Sequence, residues 1–289
     1  MGVWLIESLR LTVLVEDTVE ESNKKKLITG HGLSILVEAE VNGVDVCVLM
    51  DTGPSSKALL NNIDVLGVNP RRVDAVVLSH GHYDHTDGLM GALKSIGKRV
   101  PVLAHPEAFN LKFSVDPKLR FNGSAFTVAD VEGAGGILFL SKDSIKIADG
   151  IITTGEIERL TSYEKVEGFW TIKNNRVVKD SMPDDQALVI NMKDKGLVVI
   201  TGCAHAGVIN TVNYARKITG TSRVYAVLGG FHLIDASEER IEATIRDLAR
   251  FDPMFLGPCH CTGEKAISRI KEAFGDKCHR LRTGDTVTL

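Results

Sequence analysis

The hydrophobic positions along this chain change period several times, and each change marks an element. Residues 9–17 ("LRLTVLVED") and 32–53 ("GLSILVEAEVNGVDVCVLMDTG") carry aliphatic and β-branched runs of strand length. Asn42-Gly43, between two such runs, predicts a tight hairpin because both residues tolerate positive φ. Pro54 then opens a helix over 54–67, with Leu59, Leu60, Ile63 and Leu66 on one face and Gly67 as its stop. An apolar strand at 71–79 follows, then a helix at 87–97 and a strand at 100–105. The last third alternates cleanly. Strands at 186–192 and 196–202 flank Lys193-Asp194-Lys195 as a hairpin. Helices at 206–220, 237–251 and 262–275 interleave with strands at 223–230 and 253–258, and a final strand closes the chain.

Residues 110–185 read differently. Short strand-like pieces ("GGILFL", "SIKIA", "GIITTG", "GFWTI") are divided by Gly, Asp and Asn clusters. They predict sheet hairpins, a lid over a site, or a partly mobile insertion. The strands form two blocks, each interleaved with helices near its end. Burial then requires two mixed sheets face to face with helices on both outer faces, an α/β fold of the αββα sandwich type. No flexible linker and no internal repeat interrupts it. The expectation is one domain over 1–289, with 110–185 as a pocket-shaping insertion.

Composition narrows the partners. A 44% hydrophobic and 25% charged chain of 289 residues has the balance of a globular protein with a real core. Its net charge of −3 argues against a sequence-independent nucleic-acid binder. The basic run Lys24-Lys25-Lys26 sits beside Glu20 and Glu21 and reads as a solvated loop. Glu7 and Arg10 interrupt the N-terminal apolar run, which predicts no signal peptide. No stretch approaches the roughly eighteen apolar residues of a membrane span. Five cysteines, an odd and low count, predict no disulfide framework. The expected protein is soluble and cytoplasmic, with no membrane or nucleic-acid partner.

One stretch does not belong to an ordinary core. "VVLSHGHYDHTDGL", residues 76–89, gathers His80, His82, Asp84, His85 and Asp87 where a buried strand ends and a helix begins. Each buried ring or carboxylate needs a partner to offset its desolvation. In extended chain His80 and His82 point to the same side, so their imidazoles can converge on one ion. Asp84 and His85 follow where the chain turns, facing a second ion or the other side of the first. Polar capping of a helix would use Asp84 or Asp87 but does not call for three histidines. Mixed imidazole and carboxylate ligation suits zinc, iron or manganese better than calcium or magnesium.

This His-x-His-x-Asp-His spacing resembles the signature of the metallo-β-lactamase superfamily. The resemblance implies an αββα sandwich with the motif on a loop at one edge. It also implies a first metal held by His80 and His82, and a second held by Asp84 and His85. Asp51, in "VLMDTG", matches the superfamily's supporting carboxylate, which would orient a ligating ring. Most relatives then place a histidine and a bridging aspartate in "TGD" after strands. This chain has no histidine between His105 and His205, and its corresponding turn reads "TGC". His205 is therefore the expected third ligand of the first metal, and His260, at a late strand end, the last ligand of the second. Cys203 has two readings, a bridging thiolate or a small buried residue under the site. The C-x-C pair of Cys259 and Cys261 has no second pair and predicts no zinc ribbon.

The segments "HGLSILVE", "MDTGPS", "TGCAHAGVINTV", "LGGFHL" and "HCTG" resemble a narrower branch, which includes the dihydropterin-type synthase of methanopterin biosynthesis. That resemblance implies His31, His232 and Thr262 at a substrate rim. For His31 and His232 a structural role stays open. The expectation is a metal-dependent enzyme with two divalent transition-metal ions, zinc foremost and manganese or iron as alternatives. Asp84 and His232 would be catalytic, with His232 moving a proton or contacting phosphate. The substrate would be a small phosphate- or diphosphate-bearing anion, also received by helix N-termini after the glycine turns at "TGCAHAG", "LGGFH" and "CTGEK". Alternatives are a phosphodiesterase, an ester or lactone hydrolase, or a metal- or pterin-binding sensor without turnover.

Overall fold

The structure, a computed structural model, describes residues 6–23, 26–115 and 117–289. Residues 1–5, Lys24 and Lys25, on which the leader and basic-run readings partly rest, lie outside these. The N-terminal half runs β1 (Ser8–Val15), β2 (Ser34–Val41), β3 (Val44–Met50), α1 (Ser56–Val65), β4 (Ala75–Val77), α2 (Tyr83–Thr86), α3 (Leu89–Ile96) and β5 (Val100–Ala104). Asn42 and Gly43 both have positive φ, as the tight β2–β3 hairpin requires. The first helix departs from expectation at its start. Ser55 is the N-cap, accepting from the Ala58 N–H at 3.2 Å, and Pro54 lies ahead of it. The strand expected over 71–79 is shortened to β4 by a 3-10 turn at Pro70–Arg72.

Residues 110–185 divide among three sheets. They supply β6 (Lys112–Ser114), β7 (Arg120–Phe121), α4 (Val128–Gly133), β8 (Gly136–Leu140), β9 (Lys146–Ala148), β10 (Ile151–Thr153), β11 (Phe169–Lys173) and β12 (Arg176–Lys179). The remainder gives β13 (Ala187–Met192), β14 (Gly196–Thr201), α5 (Val208–Thr219), β15 (Val224–Gly230), α6 (Glu238–Phe251), β16 (Phe255–Cys259), α7 (Glu264–Phe274) and β17 (Thr286–Thr288). The first sheet has the order β17-β1-β2-β3-β4-β5-β8, and the second β16-β15-β14-β13-β10-β9. A small third sheet, β12-β11-β6-β7, comes entirely from residues the sequence left open.

Alternation along the strands builds the layers. Val37 and Val48 of the first sheet, with Leu188, Ile190, Val198 and Ile200 of the second, bury into one cluster between the sheets. Their neighbours turn outward: Leu36, Leu49 and Val76 pack under α1 and α3. Val189, Val199 and Val227 pack under α5, α6 and α7. The result is the expected αββα sandwich of two mixed sheets. No helix among the described residues is long and apolar enough to cross a membrane.

Both sheets contain parallel runs, β3-β4-β5-β8 and β14-β15-β16. Parallel strands bring their carboxyl ends to one edge, the usual place for a site in such sheets. The polar strand ends noted in the sequence are these.

Candidate metal centre

Four residues that follow strand ends have left-handed backbone: Asp51 (φ 57°), Ala204 (φ 54°), His232 (φ 48°) and His260 (φ 48°). Non-glycine residues seldom adopt this, and such strain concentrates at functional sites. Here it turns the chain sharply at the end of β3, β14, β15 and β16. Gly202 shows how tight the turns are, since a Cβ there would lie 2.0 Å from Ser79 Oγ.

Asp51 is fully buried and organises the motif. Its carboxylate accepts from Ser79 N–H at 2.7 Å and Ser79 Oγ at 2.6 Å, and lies 2.7 Å from His85 Nδ1. That bond leaves His85 Nε2 facing inward, 3.1 Å from Cys203 Sγ and 3.3 Å from His260 Nε2. Asp84 Oδ2 lies 3.4 Å from His260 Nε2 and 3.6 Å from His85 Nε2. Asp84, His85, Cys203 and His260 therefore form one buried set of converging donor atoms.

A second set adjoins it. His80 Nε2 is 3.1 Å from His82 Nδ1. The His205 ring centroid lies 4.8 Å from that of His80 and 4.9 Å from that of His82. Cys203 Sγ converges with His80 and His205 as well as with the first set. Both ring nitrogens of His205 are buried with no hydrogen-bond partner. Such orphaned polar atoms call for a ligand. Burial, reinforced by neighbouring histidines, holds His80 and His205 well below the usual imidazole range. Burial pushes His82 down to about 3, against the pull of Asp84. The rings are thus neutral lone-pair donors. Burial alone would raise Asp84, but His85 and His260 hold it ionised, well below the carboxylate range. Burial alone would lower His260, but Cys261, Asp17 and Asp84 raise it well above the usual imidazole range. The neutral imidazoles of His80, His82 and His205, with the Asp84 carboxylate and the Cys203 thiol, fit transition-metal ions.

The remaining expected residues fall on both sides of the line. His232 lines the cavity, its ring 4.2 Å from His205, and His31 stands exposed on the rim. Thr262 does not reach it. It is fully buried, and its hydroxyl accepts from Phe231 N–H at 3.0 Å, so the structure gives it a packing role in place of a substrate contact. The anion-binding role expected for the "TGCAHAG" turn is also overturned. Glu164 already accepts from the Ile209 and Asn210 N–H groups at the start of α5, and Asp185 from Ala206 N–H. The "LGGFH" turn does not open a helix, for α6 begins at Glu238 with its own Ser237 cap.

Several supporting residues were not anticipated. Asp17 accepts from His260 Nδ1 at 2.7 Å and His31 Nδ1 at 2.8 Å, tying the rim to the first set. Glu16 accepts the His260 N–H at 2.7 Å. On the other side, Gly81 N–H, between His80 and His82, donates to Asp184 at 2.8 Å. Asp184 in turn accepts from the fully buried Lys112, which also reaches Asp180. Gln186 binds the backbone of Leu78 and Ser79. The one local signal was "VED" at a strand end; "MPDDQ" carried none.

A cavity of about 430 Å³ opens over both sets. A sequence profile described as the Metallo-beta-lactamase superfamily matches residues 27–166. A 7,8-dihydropterin-6-methyl-4-(beta-D-ribofuranosyl)-aminobenzene-5'-phosphate synthase from Methanocaldococcus jannaschii is 37% identical, covering 99% of this chain and 99% of that one. The chain belongs to the metallo-beta-lactamase superfamily. An uncharacterized protein of the same organism is 32% identical over 90% of this chain and 94% of its own. The crystal structure of a metal-dependent hydrolase of the beta-lactamase superfamily superposes with a TM-score of 0.80, at 29% identity, covering 96% of this chain and 98% of that one. Superfamily membership implies divalent metal ions, in accord with the donor sets, and the named relatives support an enzymatic role.

Proposed function

We propose that this protein is a two-metal enzyme acting on a small phosphate- or diphosphate-bearing molecule. The observation that carries the reading is the pair of donor sets meeting at Cys203 on the floor of one cavity. His80, His82 and His205 would hold one ion, and Asp84, His85 and His260 the other, with the Cys203 thiolate shared; zinc suits this mixture of nitrogen, sulfur and oxygen. Bound there, the ions would supply Lewis-acid stabilisation of negative oxygens and a water acidic enough to ionise near neutrality.

The chain's own groups do the rest. Asp51 fixes the tautomer of His85 and Asp17 that of His260. His232 would pass a proton or hold a phosphoryl oxygen, a role supported by its position beside His205 in the cavity wall. A synthase reaction, as in the name of the 37% identical relative, carried out by group transfer, is the first reading. Hydrolysis of a phosphodiester, ester or lactone is the second, favoured by the hydrolase of similar structure. The test is elemental analysis followed by competition. Two ions per chain, and inhibition by inorganic diphosphate at concentrations where a neutral lactone has no effect, are expected; His232→Ala should weaken that inhibition. One ion or fewer after reconstitution, or efficient lactone turnover indifferent to diphosphate, overturns it.

A further inference from the structure

The cavity gathers a third donor set, of different chemistry from the two described above. Cys203, His232 and Cys261 offer two thiols and a ring nitrogen, all within 4.8 Å of one another. All three residues line the cavity, so the set has an entry path. Cys259 packs instead into the core between the sheets, and the 3-10 turn at His260–Thr262 separates it from cavity-lining Cys261. The backbone holds the set together without an ion. Leu233 and Ile234 N–H both donate to Cys261 O at 3.1 Å, tying the turn that carries His232 to Cys261. Gly230 supplies the room, since a Cβ there would lie 2.6 Å from Cys261 Sγ and 3.3 Å from Cys203 Cα. Bonds within the protein leave these donors unspent. His232 Nδ1 is buried with no hydrogen-bond partner, and Cys261 Sγ donates only at 3.5 Å, to Cys203 O. Such buried polar atoms call for a ligand.

Two sulfurs and one nitrogen select a softer ion than the other sets do. Thiolates favour Cu(I), and three donors complete its shell, whereas zinc takes four and would be left one short. We propose that Cys203, His232 and Cys261 form a third metal site, which takes Cu(I) and antagonises the zinc pair. Copper arrives and stays as Cu(I); each thiol gives its proton to solvent as its sulfur binds. Cys203 belongs to all three sets, and a thiolate that bridges two ions has little to offer a third. Copper here therefore draws Cys203 from the zinc ions and occupies His232 at the same time. The site itself stands apart from the two-metal reading above, while the antagonism rests on it.

Anaerobic titration of metal-free protein with Cu(I), against a chromophoric Cu(I) chelator, measures the affinity, and copper X-ray absorption counts the sulfurs. Two sulfurs and one nitrogen per copper are expected. Cys261→Ser should remove one sulfur and weaken Cu(I) at least about tenfold, the scale of losing even a supporting partner, yet still take up two zinc ions. His232→Ala should weaken Cu(I) while keeping both sulfurs, and it decides the matter if Cys261→Ser does not fold. One equivalent of Cu(I) should release zinc from zinc-loaded wild type but not from zinc-loaded Cys261→Ser, as read by desalting and elemental analysis. A single sulfur per copper in wild type, or Cu(I) affinity unmoved by both substitutions, overturns the site. Wild type that holds copper and both zinc ions together overturns the antagonism. Fewer than two zinc ions on copper-free wild type overturns the two-metal reading and leaves the copper site, measured in metal-free protein, standing.

Discussion

The two sheets build their shares of the centre in different ways. The first places His80, His82, Asp84 and His85 on a single loop after β4, six residues from end to end. The second contributes Cys203, His205, His232 and His260 from the separate ends of β14, β15 and β16. A compact loop sets its donor groups by local geometry, so their spacing is a property of the sequence itself. Dispersed donor groups get their spacing from strand pairing, and each needs its own turn, here bent through left-handed backbone at Ala204, His232 and His260. Cys203 is the point where the two designs meet.

Removing that meeting point should have the largest effect. Cys203→Ala is expected to leave fewer than one ion per chain by elemental analysis, whereas His205→Ala should leave about one, because His205 converges with the His80 set alone. Two ions retained by Cys203→Ala would show that the sets are independent and the thiol only fills space.

The next effect concerns the support of the compact loop. Lys112→Met leaves Asp180 and Asp184 buried without their cation, and should lower unfolding free energy by about 3–5 kcal/mol in a urea titration. A loss below about 1 kcal/mol would mean that the loop does not depend on this pair.

The smallest effect concerns the dispersed side. Burial raises Glu164, the carboxylate at the start of α5, to about 7 from an ordinary 4.5. A raised folded value means the folded state holds the proton more tightly than the unfolded chain. The stability this gives is complete below the unfolded value and is lost as pH rises through about 7. Glutamine does not ionise, so the advantage of wild type over Glu164→Gln should shrink between about pH 5 and about pH 8. Urea midpoints at the two values measure it, and a constant or growing gap would mean that the α5 N–H groups keep Glu164 ionised throughout.

Much of the molecule was legible because its physics is local. Alternating strands, the Asn42-Gly43 turn and the dense motif report themselves within a few residues. The β6-β7-β11-β12 sheet did not, since its strands are two to five residues long, half exposed, and separated by up to about fifty residues of chain. Thr262 was misplaced for a related reason: its neighbour His260 faces the site, but the 3-10 turn at His260–Thr262 carries Thr262 under Phe231. Asp184 and Asp185 went unread because their partners, Gly81 and Ala206, are 103 and 21 positions away.

Those adjacent aspartates have a consequence for how the protein comes into being. As the chain is synthesised, the loop with His80 and His82 emerges about a hundred residues before Asp184, the group that holds it. His260, nearly at the other end, completes the set of Asp84, His85 and Cys203 later still. A nascent chain therefore carries the His80–His85 motif without its supporting partners for much of its synthesis. The arrival of Asp184-Asp185-Gln186 ties both sheets together at once, so the donor sets reach their final geometry only when the two halves have joined.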